Sequence, residues 1–164
     1  MTKAIVGVFR SKDSATDAIN ELKRNGYERD ISLVARDEKA KDYEPDADPG
    51  QRLTMEDQNL GDGVFAGGAL GGIAGLLAGA GALLIPGVGP IIAAGPLAAF
   101  LTGVVGGGLV GGLVDSGIPE ERGRYFEERV KKGDILVMIK AQEDEVSEIS
   151  SVLRENGAED VEAH

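Results

Sequence analysis

At 164 residues the chain is long enough for one domain, or for one small domain with an appended element. It has no cysteine and a single histidine, which excludes a disulfide framework and thiolate or imidazole metal clusters. A formal net charge of -11 provides no basic face for nucleic acid and disfavours adsorption to anionic lipid.

The opening MTKAIVGVFRSKD holds an apolar run that is interrupted by Arg10 and Lys12 and is too short for a secretory leader, so this end reads as cytoplasmic. A strand is predicted over Ala4 to Phe9. The helix after it buries one face, Ala15, Ala18, Ile19 and Leu22, and stops at Gly26. Ile31 to Ala35 is a second strand, and residues 1–37 make a first βαβ half. The strand Ala4 to Phe9, and likewise Ile135 to Ile139 further on, is apolar on both faces, as central strands are when helices or partners cover them. Residues 38–61 are polar, acidic and proline-containing and read as a linker.

From Gly63 to Val114 the chain carries no charge for 52 residues. PGVGP at residues 86–90 is a turn, so residues 62–115 are expected to form a hairpin of two helices, Gly63–Ile85 and Ile91–Val114. At about 1.5 Å per residue each would be roughly 35 Å long, enough to cross a bilayer core of about 30 Å. Small residues recur every four positions: Gly63, Gly67, Gly71, Gly75 and Gly79 in the first helix, and Gly95, Ala99, Gly103, Gly107 and Gly111 in the second. Each stripe would let another helix approach closely, as in packed membrane helices, so these ten are the candidate helix-packing residues. Burial in a soluble oligomer is the competing environment. Arg52, Arg122 and Arg124 flank the hairpin while its turn has no positive residue, which would put both ends on the cytoplasmic side.

Residues 116–164 begin with a connecting helix, GIPEERGRYFEERVKKGD, whose covered side is Tyr125, Phe126, Arg129 and Val130. Acidic residues follow Pro119, and Lys131 and Lys132 precede Gly133, in the order that suits the helix dipole. The segment after it repeats the first half at an offset of 131: Val6 overlies Val137, Leu22 overlies Leu153, and Asn25-Gly26 overlies Asn156-Gly157. A strand over Ile135 to Ile139, a helix buried through Val146, Ile149 and Leu153, and a weaker strand over Asp160 to Ala163 complete the second half. Two such halves form, most simply, an α+β ferredoxin-like split βαβ sandwich, here interrupted by the inserted glycine-rich apolar helical hairpin.

No motif for chemistry survives scrutiny. Gly106, Gly108 and Gly111 match the dinucleotide fingerprint but follow no strand, Asp46 and Asp48 lack the rest of a calcium loop, and no nucleophile has a base beside it. The expectation is a chain that is not an enzyme and takes no cofactor.

The stretches VGVFRSKDSATDAINELKRNGYERDISLVARD at 6–37 and SGIPEERGRYFEERVKKGDILVMI at 116–139, with the glycine-zipper segment between them, resemble a bacterial family of general stress or heat-induced stress proteins. The resemblance covers nearly the whole chain. It implies induction by stress and a ferredoxin-like domain broken by an apolar segment, and it brings no catalytic residues. The function expected is thus a stress-associated protein that partners itself as a homo-oligomer, or a membrane, through the hairpin. A ligand-sensing regulatory module with the hairpin as anchor is the alternative, its ligand unknown. No nucleic-acid partner is expected.

Overall fold

The computed structural model describes residues 1–36, 81–85, 89–103 and 108–164. They form an α+β fold around one antiparallel sheet of six strands. The strands are β1 (Thr2–Phe9), β2 (Ile31–Arg36), β3 (Gly81–Ile85), β4 (Gly89–Ala94), β5 (Ile135–Gln142) and β6 (Glu159–Ala163). The helices are α1 (Lys12–Arg24), α2 (Pro96–Gly103), α3 (Gly108–Asp115), α4 (Glu120–Lys131) and α5 (Val146–Glu155). The strand order is β3-β4-β2-β5-β1-β6. At its centre β1 and β5 pair over their full length, from Thr2 opposite Gln142 to Phe9 opposite Ile135.

Strand alternation sorts the core into two layers. Ile5, Phe9, Ile31, Leu33, Val137 and Ile139 point to the face covered by α1 and α5, where they meet Ile19, Leu22, Ile149 and Leu153. Ala4, Val6, Val8, Val34, Leu136 and Met138 point to the other, where Leu97, Leu101, Leu109, Leu113, Phe126 and Val130 of α2, α3 and α4 cover them. The apolar character of β1 and β5 on both sides is explained by this double cover.

Both repeat helices end alike. Gly26 and Gly157 adopt φ of +96° and +93°, and the next residue donates its N–H back across the last turn, Tyr27 to the Leu22 carbonyl at 3.0 Å and Ala158 to the Leu153 carbonyl at 2.9 Å. This closure needs a left-handed residue, which glycine supplies without a Cβ penalty.

The apolar run departs from the expected helical hairpin. Residues 81–85 and 91–94, expected within the two helices, are strands of a β-hairpin, and β4 already includes Gly89 and Pro90 of the expected turn at 86–90. Ile85, Ile91 and Ile92 are β-branched and favour a pleated sheet, and β2 offers a free edge to which Ile91–Ala94 bonds opposite Arg36–Leu33. The expected second helix is divided. Its first part starts only at Pro96, because Gly95 has a φ of +82°, and α3 starts anew at Gly108 with a φ of +57°. Both α2 and α3 have eight residues, roughly 12 Å each. Among the described residues no helix is long and apolar enough to cross a membrane. The expected linker at 38–61 and the expected helix over residues 63–80 lie outside the described residues.

Candidate functional site

Of the ten expected helix-packing residues, Gly63, Gly67, Gly71, Gly75, Gly79 and Gly107 lie outside the described residues. Gly95 sits in the turn between β4 and α2, not on a helix face. A Cβ there would lie 2.1 Å from the Ile31 carbonyl oxygen, so the backbone itself makes the close approach. Beside it the Leu97 N–H donates to Ser32 Oγ at 3.0 Å, which caps the start of α2 with a buried hydroxyl from β2. Ala99 and Gly103 lie in α2, and Gly111 is half-buried in α3.

Close helix approach is made by two glycines that the four-residue spacing did not single out. At Gly112 a Cβ would stand 2.6 Å from Leu101 Cδ2, and at Gly123 it would stand 3.4 Å from Val110 Cγ1. These two positions bring α3 against α2 and α4. The signal available in the sequence was the neighbouring glycine pair 111–112, in which the buried member is the second.

The described polar side chains converge most densely where α4 meets β6. Arg122, Tyr125, Phe126 and Arg129 recur at helical spacing, so they share one face of α4. The Arg122 guanidinium donates through Nε to Glu162 Oε2 at 2.9 Å and through Nη2 to Oε1 of the same carboxylate. It also lies over the Tyr125 and Phe126 rings, 4.4 and 5.4 Å from their centroids. One turn on, Arg129 is only 12% exposed and donates to Asp134 Oδ2 at 2.5 Å, Glu159 Oε2 at 2.9 Å, Asp160 Oδ2 at 2.8 Å and the Tyr125 hydroxyl at 3.0 Å. That hydroxyl in turn donates to Asp160 Oδ2 at 2.5 Å. His164 Nε2 lies 2.9 Å from Glu162 Oε2, and Arg10, just after β1, reaches Glu159.

The bond to Asp134 raises the Arg129 pKa above its ordinary value against the opposing effect of burial, and the bond to Glu162 does the same for Arg122. Both stay charged throughout the accessible pH range. Sequence reasoning placed Tyr125 and Arg129 on the covered side of α4 but read Arg122 only as a flanking charge. Their partners Glu159, Asp160 and Glu162 were missed, because nothing local in a short acidic strand names a helix 30 to 40 residues earlier.

With every guanidinium of this cluster neutralised by carboxylates, the arrangement fastens a strand and offers no free cation to a ligand. Among the described residues every buried side-chain nitrogen and oxygen has a hydrogen-bond partner, and no group of three or more His, Cys, Asp or Glu could hold a metal ion. No family model, curated protein or solved structure matches the chain.

The two ends of the sheet differ in chemistry. β6 reads EDVEA, with three carboxylates in five residues, whereas β3 reads GALLI, with neither charge nor proline. Among the described residues β3 pairs with β4 alone. Natural sheets guard such edges with charge, proline or bulges, and β3 has none of them.

Proposed function

We propose that this chain is a non-enzymatic, self-associating protein of the stress response, in which the uncharged run mediates contact between copies. Its head is a split βαβ, ferredoxin-like arrangement. The strand order β2-β5-β1-β6, with α1 and α5 on one face, supports that reading. The observation that carries the self-association is β3, a strand of five uncharged, apolar residues that among the described residues pairs on one side only. A like-with-like pairing at β6 would set carboxylates against carboxylates, but at β3 it opposes only apolar side chains. The packing of Leu97, Leu101, Leu109 and Leu113 into the core of the domain supports protein, not lipid, as the surroundings of this part of the run.

The test is light scattering on the full chain across a concentration series, with Leu83→Lys and Leu84→Lys at adjacent positions of β3. Assemblies that shrink in both variants while far-UV dichroism stays native support the reading. Unchanged size in both, a wild-type chain that stays monomeric, or a protein that resists high-pH washing of the membrane pellet overturns it.

A further inference from the structure

We propose that β6 is a charge-latched edge strand that opens separately from the rest of the sheet, with Arg122 and Arg129 of α4 as its two fastenings. The internal repeat makes the contrast visible. In the first half the second strand, β2, buries Ile31, Ser32, Leu33 and Val34 and pairs on both sides. Its counterpart β6 has no fully buried residue, and Val161 is its one side chain packed on a core layer.

The backbone pairing is thin as well. β1 and β5 align over eight consecutive pairs, but β1 and β6 share three, with a register shift between Val6 and Val8. Beyond them Ala4 and His164 exchange backbone bonds of 2.9 Å. At the irregular end Asp160 takes a φ of +52°, a left-handed backbone that a non-glycine residue adopts at some cost.

What the strand lacks in burial and pairing it makes up in charge. Glu159, Asp160 and Glu162, all of its acidic residues, bond to Arg122 or Arg129. Glu159 and Asp160 are 41% and 37% exposed, so dissolved ions reach their pairs and screen them. The central strands are held by apolar burial, which salt does not screen. The stability of β6 therefore falls with ionic strength while that of β1 and β5 does not. Its opening would bare the outer edge of β1 and take the Glu162 carboxylate from Arg122, while Arg129 keeps Asp134.

Hydrogen exchange read by mass spectrometry on the full chain tests this by comparing residues 158–164 with residues 135–142. Raising salt from about 0.05 M to about 1 M, where the screening length falls to about 3 Å, should speed exchange in β6 roughly tenfold and leave β5 unchanged. Arg122→Gln and Arg129→Gln should each reproduce the fast exchange at low salt and flatten its salt dependence. Should Arg129→Gln unfold, as loss of the Asp134 partner could cause, Glu159→Gln with Asp160→Asn replaces it by unfastening the strand from Arg129 while the bond to Asp134 stays. Exchange in β6 that ignores salt and the variants, or that rises in step with β5, overturns the latch.

Discussion

At Gly95 the backbone leaves β4 and enters α2 so close to β2 that no other residue fits. A left-handed φ of +82° and a Cβ position 2.1 Å from the Ile31 carbonyl act together there. Gly95→Ala should therefore cost about 3 kcal/mol, strain and overpacking both contributing, as a lowered urea midpoint. Gly26→Ala is the comparison. Its φ is +96° but nothing lies within 4 Å of the added methyl, so only the conformational penalty of about 1 kcal/mol remains. Equal losses at the two sites would show that the contact with Ile31 does not matter.

Among the elements, α4 joins both halves of the molecule, since Phe126 and Val130 enter the core while Arg122 and Arg129 hold β6. Gly123 weakens it. An added Cβ there makes only ordinary contact with Val110, and alanine is about 1 kcal/mol better than glycine within a helix. Gly123→Ala should accordingly stabilise the protein by up to about 1 kcal/mol in thermal or urea unfolding, and a loss of stability would mean that α3 and α4 cannot part even slightly. The charged elements were the legible ones. Amphipathic period, caps and glycine stops marked α1, α4 and α5, because polar and apolar residues recur there with a readable period, and the repeat marked β1, β2, β5 and β6. In the uncharged run that contrast vanishes. Leu83-Leu84-Ile85 and Ile91-Ile92 suit a buried helix or a buried strand equally by pattern, and only the free edge of β2, set by residues far away in sequence, decides for a strand. The α4–β6 cluster was half legible for the same reason, its helix face readable and its strand partners distant.

On the scale of the molecule, the described sheet has an acidic end at β6 and an uncharged end at β3. A chain of net charge -11 repels its copies at long range, so the association proposed through β3 should strengthen as salt screens that repulsion. Light scattering of the wild-type chain at low and high ionic strength should show assemblies growing with salt, and Leu84→Lys should remove the growth. The central pair β1 and β5 carries another consequence. Ile5 lies opposite Ile139, and β1 receives its outer neighbour only with Ile5 opposite Ala163. During synthesis at about 5–20 residues per second, β1 emerges from the ribosome on the order of ten seconds before β5. β1 must therefore wait for the strand that pairs along its whole length, while β4 can already pair with β2. The more slowly the stretch between β1 and β5 is translated, the longer the apolar β1 stays without its central neighbour.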